Sequence, residues 1–86
     1  MQKKAVALKY ECGDNAPKVV ALGKGEIAEK ILSLASEKGV PILSKPVLVD
    51  KLIELELQQE VPPELYEVVA EVLAFIYKLS KKEGSI

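Results

Sequence analysis

Gly23-Lys24-Gly25, set directly ahead of Glu26-Ile27-Ala28, comes closest in this chain to a reactive motif. Glycines around a lysine at the start of a helix could cradle a phosphate, because helix N-termini attract anions. The stretch lacks the full spacing of a phosphate-binding loop and the Ser or Thr that follows its lysine, and Glu26 already occupies the positive helix end. A tight strand-to-helix turn accounts for the same residues through backbone geometry alone. Cys12 is the sole cysteine, and the chain has no histidine to activate it. Thiol catalysis needs such a partner, so Cys12 reads as an incidental loop thiol. The missing histidine also removes the commonest general base, metal ligand and proton shuttle. Asp14, Asp50 and eleven glutamates are scattered over solvated faces without ligand spacing. No catalytic residue, cofactor or metal is therefore assigned, and the chain reads as a non-enzyme.

Composition narrows the partners further. Twelve lysines, thirteen acids and no arginine leave a net charge of −1. Arginine is the usual reader of phosphates and guanine edges, so nucleic acid is not expected as a partner. Lys3 and Lys4 read as a solubilising pair. The longest strongly apolar run, Val72 to Tyr77, is far short of the roughly 20 residues that span a bilayer, and the N-terminus lacks the apolar core of a signal peptide. One cysteine cannot form an internal disulfide, which fits a reducing compartment. A soluble cytoplasmic protein without direct membrane insertion is expected, its oligomeric state left open.

Eighty-six residues, 49% of them hydrophobic, suffice for one small domain spanning 1–86. The chain reads as mixed α/β (α+β): a small sheet of about three strands with three helices around it, in the order β-β-α-β-α-α. Ala5 to Tyr10 is an apolar run that suits a strand, and Lys18 to Leu22, opened by Pro17, suits a second one covered on both faces. The polar stretch Glu11 to Ala16, with its Gly-Asp-Asn cluster, joins them as a loop. Ile27, Ile31, Leu34 and Ala35, broadened by Leu32, repeat at helical spacing up to Gly39, which offers a left-handed stop. Val40 to Ser44 reads as a third short strand with Pro41 at its start or edge. Pro46 fits the first position of a second helix whose apolar face is Val47, Leu48, Leu52, Ile53 and Leu55.

Pro62-Pro63 forces a boundary, and a third helix is expected from near Pro63 to about Leu79, with a frayed tail over 81–86. Its polar residues, Glu64, Glu67, Glu71, Lys78 and Lys82, form one narrow stripe completed by Ala74. The rest is apolar nearly all round, more than a helix resting on one surface requires. One short sheet cannot wrap three helices completely, so part of this face is expected to stay exposed.

AVALKY at 5–10, APKVVALGKGEIAEKI at 16–31, GVPI at 39–42 and LYEVVAEVLAFIYKL at 65–79 together resemble the C-terminal cytoplasmic domain of the FlhB family. These are the export-switch proteins of flagellar and other type III secretion systems. The resemblance covers roughly residues 5–80 and implies a small mixed sheet with helices packed around it. Members of the family carry a four-helix membrane domain first, and an Asn-Pro-Thr-His site where the chain cuts itself between Asn and Pro. Here Met1, Gln2 and Lys3 stand at the Pro, Thr and His positions, with the Asn falling before the chain starts, so that cleavage is not expected. Asn15-Ala16-Pro17 is no substitute for it. The chain looks like the released fragment encoded directly, without the strand that precedes the cut. Gln58 stands where many relatives have glycine.

In flagellar members a hydrophobic docking patch for export substrates includes positions that map onto Ala16, Pro17, Ala70 and Leu73, all matching in type. The resemblance thus implies a non-enzymatic interaction domain that binds export substrates, the substrate-specificity control protein or other export components, held at the inner face of the membrane by them. A structural alternative is that it replaces the cleaved fragment of a membrane-bound relative. A nucleotide-binding or small enzyme subunit is the remaining class, disfavoured by the missing histidine and the incomplete phosphate loop.

Overall fold

The structure, a computed structural model, describes residues 3–11 and 13–84. Strands β1 (Lys4–Lys9) and β2 (Lys18–Lys24) pair antiparallel. Helices α1 (Glu26–Glu37), α2 (Pro46–Leu52) and α3 (Tyr66–Gly84) follow, the last entered through a 3-10 turn at Pro63–Leu65. The α+β class is as the sequence implies. The helices also start where expected, with Pro46 in the first turn of α2 and acidic Glu26 and Glu29 in the first turn of α1. Gly39, at φ 74°, closes α1. The Val40 N–H donates to the Ala35 carbonyl at 2.8 Å and the Gly39 N–H to that of Ser36 at 3.2 Å, a paired helix stop.

A bulge decides which β2 side chains face the core. Ala7 pairs with Ala21 but Leu8 with Val19, leaving Val20 as the extra residue. Val19 and Leu22 therefore stand opposite Leu8 and Val6 on one face, although they are three residues apart. That face packs on the core: Val6 and Leu8 lie against Leu48, Leu52, Val61, Leu65 and Val69, and Val19 is fully buried. The opposite face is made of small residues, Ala5, Ala7, Ala21 and Gly23, and takes α1. A Cβ at Gly23 would overlap the Ile27 side chain, so the glycine permits this close approach. Ala28 is the α1 residue fully buried there.

Two strands are too narrow to cover the whole apolar stripe of a twelve-residue helix. Ile27 and Leu34, on the apolar stripe read at helical spacing, are accordingly more than half exposed. The same holds for Val47 on α2, 72% exposed, whereas Leu48 and Leu52 are buried.

The expected third strand at Val40–Ser44 does not form. The segment is irregular, with Val40 and Ile42 half exposed. The outer edge of β2 is taken instead by residues 58–61. The Val19 N–H donates to the Gln59 carbonyl (2.9 Å), the Gln58 N–H to the Val19 carbonyl (2.7 Å) and the Val61 N–H to the Pro17 carbonyl (2.8 Å). Lys18 and Glu60 form an antiparallel bridge. With that edge taken, Val40–Ser44 cannot pair beside β2, and Pro41 brings no N–H to offer. Gln58 adopts φ 68° to make this connection. α3 runs to Gly84, past the expected end near Leu79, since no glycine or proline interrupts it before that point. Of the expected frayed tail, Ser85 and Ile86 lie outside the described residues.

Candidate functional site: an apolar groove against α3

Tyr66, Val69, Ala70 and Leu73 follow one another at i, i+3, i+4 and i+7, so they share one face of α3. Opposite them lies the chain just before β2. Its backbone is fixed at both ends. The Asp14 N–H donates to the Glu11 carbonyl at 3.0 Å, and the Glu11 N–H donates to Asp14 Oδ2 at 2.9 Å, closing a turn ahead of Asn15. Beyond it, the Pro17 carbonyl accepts the Val61 N–H.

Between the two runs an open groove of about 350 Å³ is lined by Tyr10, Asn15, Ala16, Pro17, Tyr66, Val69, Ala70 and Leu73. Ala16 and Val69, each 1% exposed, form its floor together with the buried Pro17. Ala70 is exposed and Leu73 half-buried, and Tyr10 (54% exposed) and Tyr66 (43%) stand at the rim.

All four residues assigned from the sequence, Ala16, Pro17, Ala70 and Leu73, thus meet in one groove although more than fifty positions separate the two pairs. Four further lining residues were not assigned: Tyr10, Asn15, Tyr66 and Val69. Helical spacing back from Ala70 and Leu73 points to Tyr66 and Val69. Nothing local marks Tyr10, which lies just past β1 and reaches the groove only through the fold.

Among the described residues, no lining residue is an acid or a lysine. The groove can therefore hold apolar side chains, with tyrosine hydroxyls and the Asn15 amide offering hydrogen bonds at its edge, but it offers no acid–base pair for chemistry. The other candidate motif is structural. Gly23 belongs to β2 under Ile27, and α1 begins with two glutamates at its positive end. Among the described residues no group of three or more Cys, Asp or Glu is placed to hold a metal. Cys12 lies outside the described residues.

The profile of the FlhB HrpN YscU SpaS family matches residues 2–76. The chain belongs to that family. It is similar to the protein YlqH of Bacillus subtilis (strain 168), with 46% identity over 80 residues covering 92% of this chain and 86% of YlqH. It is also similar to the flagellar biosynthetic protein FlhB of Buchnera aphidicola (subsp. Acyrthosiphon pisum), 49% identical across 95% of this chain. The chain spans 22% of the length of that protein. Among solved structures, the cytoplasmic domain of FlhB from Shewanella putrefaciens superposes with a TM-score of 0.87 at 34% identity, over 95% of this chain and 69% of that one. The PscU C-terminal domain gives 0.80 at 27% identity, over 85% and 95%. The fold and the sequence agree on an FlhB-like C-terminal domain. Among the described residues, no helix of this FlhB-like domain is long and apolar enough to cross a membrane.

Proposed function

We propose that this FlhB-like domain is a non-enzymatic docking module of a flagellar or type III protein export apparatus, acting in the cytoplasm. Its ligands are export substrates, with the substrate-specificity control protein and other export components as partners of the same class. The convergence of Ala16, Pro17, Ala70 and Leu73 in one uncharged apolar groove carries this reading. An apolar segment of a substrate would seat its side chains on Ala16, Pro17 and Val69 while the two tyrosines close over it.

The test is titration of the domain with N-terminal segments of flagellar export substrates, using the native protein and Ala70→Asp. Ala70 is exposed, so the substituted domain keeps its fold by circular dichroism. A carboxylate forced against bound apolar groups costs at least 1–2 kcal/mol, so affinity falls by roughly tenfold or more. Equal affinity of the two proteins, or unfolding of Ala70→Asp, would reject the site.

A second reading has its own observation. Among the described residues β1 pairs with β2 alone, so its other edge presents unpaired backbone groups suited to strand addition. The domain would then assemble with a membrane-bound relative in place of that relative's own cleaved fragment. A peptide copying the strand before the cleavage site of a full-length relative would protect β1 amides from exchange. No added protection at saturating peptide would reject this assembly.

A further inference from the structure

α3 separates two grooves, and the second lies outside the function proposed above. It measures about 280 Å³ and is lined by Ser44, Lys45, Pro46, Val47, Leu48, Lys51, Leu65 and Val68. Its floor is apolar: Leu48 and Leu65 are core residues, each 8% exposed, that reach the surface here. Val47 and Val68, 72% and 43% exposed, leave apolar walls open to water.

Among the described residues, the only charges on the lining are Lys45 and Lys51. In a chain of net charge −1, this groove carries positive charge and no acid. Neither lysine has an ion-pair partner among the described residues, where the three pairs are Lys3–Glu29, Lys4–Asp50 and Lys9–Glu11. Asp50, the acid beside Lys51 in sequence, bonds Lys4 at 2.8 Å and ties β1 to α2 instead. Lys45 is held in place by its own backbone, whose carbonyl accepts the Val49 N–H at 2.9 Å.

We propose that this groove docks an acidic, apolar peptide segment: one or two aliphatic side chains over Leu48 and Leu65, flanked by carboxylates that meet Lys45 and Lys51. Aliphatic side chains match the walls by burying Val47 and Val68. The carboxylates match the two unpaired ammonium groups, while a basic segment would be repelled. A folded polyanion such as RNA fits less well, because the lining has no arginine and no aromatic ring on which a base could stack.

The probe is a blocked tetrapeptide DLLE, titrated into the full chain and followed by amide chemical shifts. Saturable shifts are expected at Val47, Lys51 and Val68. Removing the charges (NLLQ) weakens binding roughly threefold to tenfold, as for two exposed ion pairs, and removing the aliphatic groups (DSSE) weakens it at least about tenfold. Lys51→Glu, at an exposed position, has the same effect as NLLQ and leaves binding in the Ala70 groove unchanged.

Equal affinity for DLLE and NLLQ overturns the proposal, as do shifts confined to Ala16, Ala70 and Leu73. Binding to phosphatidylserine vesicles or to RNA without binding to DLLE overturns it as well. Because the two grooves share no lining residue, loss of one activity leaves the other measurable.

Discussion

Gln58 holds a backbone conformation that glycine adopts freely. At φ 68° its Cβ crowds the following carbonyl, yet its N–H must point this way to reach the Val19 carbonyl. Gln58→Gly removes that crowding and adds back the larger entropy loss of glycine, so a net gain of roughly 0.5–1 kcal/mol is expected. Urea denaturation checks it: the midpoint rises while the slope stays constant. Gly23 is the converse case. Gly23→Ala places a methyl group against Ile27 and lowers stability by about 1–3 kcal/mol. The double change Gly23→Ala with Ile27→Ala recovers only part of the loss, because the Cβ of residue 27 still lies 2.7 Å from the added methyl group. Equal stability of Gly23→Ala and the native protein would mean that α1 can move off the sheet freely.

Elements determine which groove residues tolerate change. Ala70 faces out from α3, while Ala16 is the floor of the groove and 1% exposed. Ala70→Asp is therefore expected to keep the native melting temperature within a few degrees, while Ala16→Asp buries an unpaired carboxylate and lowers stability by several kcal/mol. A binding comparison that used only Ala16→Asp would confuse folding with docking. Melting curves of the two proteins side by side separate the effects, and similar curves would contradict the burial described here.

The elements also show where sequence reading reaches its limit. The helix starts at Glu26 and Pro46 and the stop at Gly39 were legible, since each rests on a local rule. The fate of Val40–Ser44 was not. Its composition suits a strand, but whether it pairs with β2 depends on residues 58–61 having already taken that edge. The exposure of Ile27, Leu34 and Val47 was hidden for a related reason: periodicity reports which residues share a face, while the width of the sheet decides how much of that face is covered.

At the scale of the whole molecule, the apolar surplus of α3 was legible as a count, and its meaning depends on the fold. Tyr66, Val68 and Phe75 remain substantially exposed because two strands and a short α2 cannot enclose the helix. The four positions of the proposed docking groove were legible only through resemblance, while Tyr10 and Asn15 join them by topology. Consistent with the absence of the Asn-Pro-Thr-His residues, the purified protein is expected to keep a single intact mass through days at neutral pH. A specific internal cut without protease would contradict the non-enzyme reading.

Docking at the groove is the central claim, and mapping a bound export substrate on the domain tests it most directly. With the N-terminal segment of a flagellar export substrate at saturation, amide exchange should slow at Asn15, Ala16, Tyr66, Ala70 and Leu73, and Ala70→Asp should abolish the effect. Protection elsewhere on the molecule, or none at saturating substrate, would contradict the account.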